Sequence, residues 1–131
     1  LREANLALIN NYIQKRAHMN RTRSVQNQKG GAMKSVTPRI EGISAEGFEL
    51  PMGAFSLVLV RTAGGMVGCG AFDVGALDKF DYAAARGGSR DGSPIATVED
   101  LLDGEITAAN DHAIRRGVRT GMSVVEALRK L

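Results

Sequence analysis

The side chain with the most chemistry in this chain is a thiol between two glycines. Cys69 is the single cysteine among 131 residues. It sits in the run Gly65-Met66-Val67-Gly68-Cys69-Gly70-Ala71-Phe72-Asp73-Val74. Glycine on each side removes the side chains that would shield the sulfur, so a second backbone or a ligand can approach closely. In that pattern Cys69 is a candidate nucleophile, redox thiol or ligand to a partner's metal. Asp73 is a candidate general base, or a carboxylate that fixes the thiol. A simpler reading exists for each and is preferred. Free cysteine is among the most buried residue types, and at a period of two Cys69 shares a face with Val67 and Ala71, surroundings that blunt a thiol. Asp73, at the end of a strand, can accept from the N–H groups of Gly75 and Ala76.

Two further groups could carry chemistry. The stretch Arg86-Gly87-Gly88-Ser89-Arg90-Asp91-Gly92-Ser93 has the glycines, hydroxyls and arginines of a phosphate cradle. It lacks the Gly-Lys-Ser/Thr ending of a P-loop and reads as a surface loop. His112 follows Asp111, but adjacent positions on a helix do not face each other, so they form no dyad by themselves. A structural zinc site needs four nitrogen or sulfur ligands, and Cys69, His18 and His112 are the only such side chains here. No metal and no cofactor is expected.

The elements that must position these residues fall into two electrostatically opposed segments. Residues 1–39 hold eight Lys/Arg and one acid, a net of +7; residues 40–131 hold nine Lys/Arg and thirteen acids, a net of −4, and the two sum to the net +3 of the chain. Opposed segments read as an arm, 1–39, and a body, 40–131. In the arm, Leu6, Ile9, Ile13 and Ala17 fall on one helical stripe with Tyr12 beside it, and residues 20–39 lack periodicity and read as a basic linker. An isolated helix of that length needs a surface to pack on. The partner-binding candidates are therefore Leu6, Ile9, Tyr12 and Ile13, with Lys15, Arg16, Arg21 and Arg23 at the rim. No apolar run approaches the ~18 residues of a membrane span, and no export signal is visible in residues 1–13, so the expected compartment is the cytoplasm. The opening leucine reads as that of a fragment or a processed chain.

In the body, Glu41 to Leu50 is a weakly alternating strand. Phe55 to Val60 is a continuous apolar run, which predicts a central strand buried on both faces. Ala63-Gly64-Gly65 predicts a tight hairpin turn that uses positive φ, and Met66 to Phe72 returns as its second strand. One helical turn is expected at Leu77 to Phe80 and a short strand at Tyr82 to Arg86. Thr97-Val98-Glu99-Asp100 and Ser123-Val124-Val125-Glu126 each have the form of a capping box before a helix, the second with the better-suited Glu. A third helix is expected from about Thr107 to Arg116, closed by Gly117.

Three stretches taken together resemble one family. They are Gly68-Cys69-Gly70 with Phe72-Asp73-Val74; Thr97 to Leu102; and Ala113 to Leu128 with Arg116-Gly117-Val118, Gly121-Met122 and Glu126-Ala127-Leu128. In order and spacing they resemble the YunC-like domain family over residues 40–131. That resemblance implies a compact mixed α/β fold and no assigned reaction. The expected fold class is α+β: a small mixed α/β domain with a central antiparallel β-hairpin sheet and three short helices, preceded by the amphipathic N-terminal helix. The leading functional reading is an accessory or assembly subunit, more binding module than enzyme, that docks to a larger protein partner or oligomerises. The alternatives are a small thiol-dependent enzyme or redox-sensitive domain around Cys69 and Asp73, and a nucleic-acid-associated protein acting through the arm.

Overall fold

The computed structural model describes residues 32–131. Their frame is one six-stranded sheet whose strands lie in chain order: β1 (Lys34–Val36), β2 (Glu46–Pro51), β3 (Ser56–Arg61), β4 (Gly65–Gly68), β5 (Ala83–Gly88) and β6 (Glu105–Ala109). All neighbours pair antiparallel except β4 and β5, which are parallel. A parallel pair needs a crossover connection, and the chain between them supplies helix α1 (Val74–Asp78). Helix α2 (Val98–Leu102) lies between β5 and β6. Helices α3 (Asp111–Arg115) and α4 (Val124–Lys130) follow β6.

The expected hairpin exists as β3–β4, but as the middle of a mixed sheet and not as the whole of it. Four helices are present among the described residues where three were expected. The expected helix from Thr107 begins late: Glu105 to Ala109 is strand, because Ile106 drives its side chain into the core and β-branched Thr107 suits an extended backbone. The helix then starts at Asn110, its cap. The sheet begins at Lys34, inside the stretch read as linker. The N-terminal helix lies outside the described residues, as do Leu6, Ile9, Tyr12, Ile13, Lys15, Arg16, Arg21 and Arg23.

Alternation along the strands sorts the apolar residues into two layers. On one face Val58, Val60, Val67, Ala83, Ala85 and Ile106 meet Val98 and Leu101 of α2 and Val124, Ala127 and Leu128 of α4, forming the main core. On the other, a smaller cluster of Met66, Val74 and Ala84 packs with Leu59, Phe72, Leu77 and Tyr82. Contact distances also explain two glycines that turn chemistry was expected to explain. Gly64 and Gly65 do not take positive φ. A Cβ at Gly65 would collide with the carbonyl of Ala83 on the parallel neighbour, and one at Gly64 with the carbonyl of Leu131. Close approach, not turn geometry, keeps both side chains absent.

The helix starts carry their caps. Thr97 and Asp100 close a box in both directions, and Glu49 of β2 adds a third partner by accepting from the N–H of Val98 at 2.7 Å. At Ser123 the hydroxyl accepts from Glu126 N–H at 3.1 Å, and no reciprocal bond from Glu126 is present. The shorter acid thus makes the complete box. Gly117 ends α3 with φ +99°, as a left-handed cap requires.

Candidate functional site

Three places in the described residues could do something beyond holding the fold. The first is a cleft at the carboxyl ends of the parallel pair, where open α/β sheets commonly bind ligands. Strand β4 ends at Gly68 and runs into Cys69-Gly70-Ala71; β5 ends at Gly88 and runs into the loop to Ser93. Together they border an open cleft of about 450 Å³, lined by Phe55, Cys69, Gly70, Gly87, Ser93 and Thr107 among others. Cys69 is 6% exposed and belongs to the main core. Its N–H donates to Val58 C=O at 2.9 Å, continuing the β3–β4 ladder by one residue. Gly68 is required because the ring of Phe72 takes the space of a Cβ. At Gly70 nothing lies within 4 Å of where a Cβ would stand, so its missing side chain leaves the cleft mouth open.

The loop and the thiol, noticed separately in the sequence, thus border one cleft. The loop's polar groups are turned on themselves. Asp91 accepts from Ser93 N–H at 3.0 Å and from the Ser93 hydroxyl at 2.6 Å. The hydroxyl of Ser89 donates to Ser93 C=O. The Ser93 hydroxyl, then its N–H, then the Ser89 hydroxyl hold the Asp91 carboxyl below its ordinary value. No residue lining the cleft is a histidine, lysine or carboxylate. Asp73 is not part of it: it is exposed, forms the N-cap of α1 and accepts from Ala76 N–H at 3.0 Å. Among the described residues, none lining the cleft offers the thiol a general base.

The second place was missed by the sequence reading. His112 lies between two carboxylates, one from the last residue of α1 and one from the turn after it. Its Nδ1 is 2.6 Å from Asp78 Oδ1 and its Nε2 is 3.3 Å from Asp81 Oδ1. The backbone N–H of His112 also donates to Asp78 Oδ1, at 3.1 Å. The side-chain bond from His112, and then its backbone N–H, hold the Asp78 carboxyl below the usual aspartate range. Asp81 takes φ +57°, left-handed for a residue other than glycine, to present its carboxylate there. Because each carboxylate occupies a different ring nitrogen, one cation cannot be ligated by all three. No group of metal-ligating side chains is present among the described residues. The neighbouring Asn110 is 5% exposed and fully bonded. Its Oδ1 accepts from the N–H groups of Ala84 at 3.1 Å and Ala113 at 2.9 Å, and its Nδ2 donates to Val74 C=O at 2.9 Å and Tyr82 C=O at 2.8 Å. One side chain thereby ties α1, β5 and α3 together. His112 and Asp78 are 34 positions apart, so no local spacing announces the pair.

The third place is a surface. Helix α1 covers the second face of the sheet only at its β5–β6 end. Over β2 and β3 that face carries the cross-strand pairs Phe48–Leu59 and Leu50–Leu57, with Glu46–Arg61 at the rim. No described helix lies on them. Leu50 is 36% exposed, and at the β2–β3 hairpin end Met52 is 49% and Phe55 58% exposed. The Arg61 guanidinium stacks 5.0 Å above the Phe48 ring and pairs with Glu46 at 3.4 Å.

Known proteins say what this architecture is similar to. Residues 68–131, which hold the Cys69 turn and everything after it, match the family model described as a domain of unknown function, DUF1805. This segment is similar to the DUF1805 family. The YunC-like resemblance seen in the sequence is this family, with the match beginning at Gly68 where residue 40 was expected. The DUF1805 segment contains the parallel pair's second strand, all four helices, the cleft loop and the His112 cluster. The described fold is similar to the crystal structure of a protein of unknown function, TA1206, from Thermoplasma acidophilum. The TM-score is 0.67 at 21% sequence identity, covering 76% of this chain and 93% of that one. At that identity the likeness concerns the fold alone. No curated protein matches the chain. No helix among the described residues is long and apolar enough to cross a membrane.

Proposed function

We propose that this chain is an accessory or assembly subunit that docks a protein partner, with the open half of its sheet as a contact surface and the basic residues ahead of β1 as a tether. One observation carries the reading: a six-stranded sheet buries one face under α2 and α4 and leaves Phe48, Leu50 and Leu59 of the other without a covering helix among the described residues, with Met52 and Phe55 exposed at the adjoining hairpin end. A contiguous apolar patch of this kind marks an interaction surface, and aromatic side chains there are good anchors. The tether adds the stripe of Leu6, Ile9 and Ile13 with Tyr12, and the cations Lys15, Arg16, Arg21 and Arg23. Catalysis by Cys69 is the second reading. The cleft at the strand ends favours it, while the lack of any lining group to take the thiol's proton weighs against it.

The test is a comparison of complexes isolated from native cells under mild cross-linking. Wild type should retain one protein at fixed stoichiometry. Leu50→Glu with Phe55→Glu should lose that protein while keeping a cooperative melting transition, since neither side chain belongs to a buried cluster. Ile9→Asp with Ile13→Asp should weaken the same association. Unchanged recovery in the Leu50/Phe55 pair would remove the sheet face from the proposal.

A further inference from the structure

We infer that the cleft at the ends of β4 and β5 is a binding site for an uncharged heteroaromatic ring of nucleobase type. Topology puts a crevice there. The connection leaving β4 carries α1 onto the second face of the sheet, whereas the connection leaving β5 carries α2 onto the first. The two strands are parallel neighbours, so the chain parts at their carboxyl ends and turns to opposite faces. In an open α/β sheet, that is the point at which ligands bind. The cleft of about 450 Å³ stands at this point, with Cys69 to Ala71 on one side and the loop from Gly87 to Ser93 on the other. Its volume lies within the roughly 300–1,000 Å³ of small-molecule sites.

The lining decides the class of ligand. No lining residue is charged, so an ionised group would find no counter-charge, and residues 40–131 carry a net −4 that repels anions. Phe55, 58% exposed, presents an aromatic ring to the cleft, and any base-like ring stacks on such a face. At Gly70 and Gly92 nothing lies within 4 Å of where a Cβ would stand, so a flat group can lie against the backbone. The N–H groups of Gly70 and Ala71 donate to no backbone carbonyl among the described residues. With the hydroxyls of Ser56 and Thr107 they supply donors and acceptors for ring nitrogens and carbonyls. The inference goes beyond the docking reading and shares only Phe55 with it.

Amide ¹H–¹⁵N NMR of the full chain tests the site by titration with adenosine, uridine, ribose 5-phosphate and indole. The expected result is a saturable shift of the Gly70, Ala71, Gly88 and Ser93 amides with at least one nucleoside. Ribose 5-phosphate should give only linear drift, and indole, which stacks but has no ring acceptor, should saturate at higher concentration. Phe55→Ala should raise the nucleoside half-saturation about fivefold or more, by loss of the stacking face. Gly70→Val should abolish saturation by filling the mouth, with the fold kept, because Gly70 does not take positive φ and its Cβ meets no atom. Leu50→Glu, a docking-face variant, should leave nucleoside binding unchanged, so this site and the docking surface fail separately. Linear drift with both nucleosides would overturn the site. Saturation of the same amides by ribose 5-phosphate would overturn its assignment to an uncharged group, and indole binding as tight as either nucleoside would overturn the hydrogen-bonding ring.

Discussion

Replacing Asn110 by alanine should be the most damaging single polar substitution in the described residues. The amide makes four hydrogen bonds at 2.8–3.1 Å in a position 5% exposed. Truncation leaves the N–H groups of Ala84 and Ala113 without an acceptor and the carbonyls of Val74 and Tyr82 without one donor each. An orphaned buried donor costs about 1–3 kcal/mol. Carbonyls, with two lone pairs, suffer less. Loss of the α3 cap is already contained in the Ala113 bond. The sum is about 3–5 kcal/mol, against a total of about 5–15 kcal/mol for a domain of ordinary stability. Equilibrium urea unfolding measures it as a lower midpoint with an unchanged slope. Native-state hydrogen exchange should quicken first at Ala84 and Ala113. A loss below about 1 kcal/mol would refute the hub, showing that water or a rearranged backbone replaces all four bonds.

Three further outcomes follow from particular contacts. Cys69→Ala should cost about 1 kcal/mol as loss of a small core group, and the native thiol should alkylate slowly; rapid labelling of folded protein would show an accessible, reactive sulfur instead. Gly65→Ala should cost about 1–3 kcal/mol, the usual penalty of overpacking, because its Cβ meets the Ala83 carbonyl; a thermal melt at the wild-type temperature would contradict the close approach. Asp78 has a depressed carboxyl, so its contribution is present above the ordinary value of 3.8 and disappears as pH falls through the lower, folded value. The stability gap between wild type and His112→Ala should therefore narrow across that acid range, and a gap constant through the acid transition would break the link to Asp78.

What could be read from the chain was what its residues decide locally. Thr97, Asp73 and Asn110 each satisfy an N–H three residues on. The first two were legible from that spacing, and Gly117 from the need for a left-handed cap. Asn110 was hidden because the helix reads as starting near Thr107, whereas the buried Ile106 holds Glu105 to Ala109 as strand and delays the start to Asn110. The Phe55–Val60 run shows a different limit. An uninterrupted apolar sequence states that both faces avoid water, not which face is covered by the same chain. Here Val58 and Val60 are fully buried, while Leu57 and Leu59 are only partly so. The His112 cluster and the meeting of Cys69 with the Ser89–Ser93 loop arise from the β4–α1–β5 crossover, which joins residues tens of positions apart. No single-residue spacing encodes that. The thiol stands out by rarity, while the half-sheet that no described helix covers, made of ordinary Phe and Leu, does not.

The docking surface is tested most directly by hydroxyl-radical footprinting of the chain, alone and within the complex isolated from native cells. The expected result is strong labelling of Phe48, Leu50, Met52 and Phe55 in the isolated chain and protection of the same residues in the complex, with the exposed sides of α2 and α4 unchanged. Equal labelling of those four residues in both states, with protection elsewhere, would contradict it.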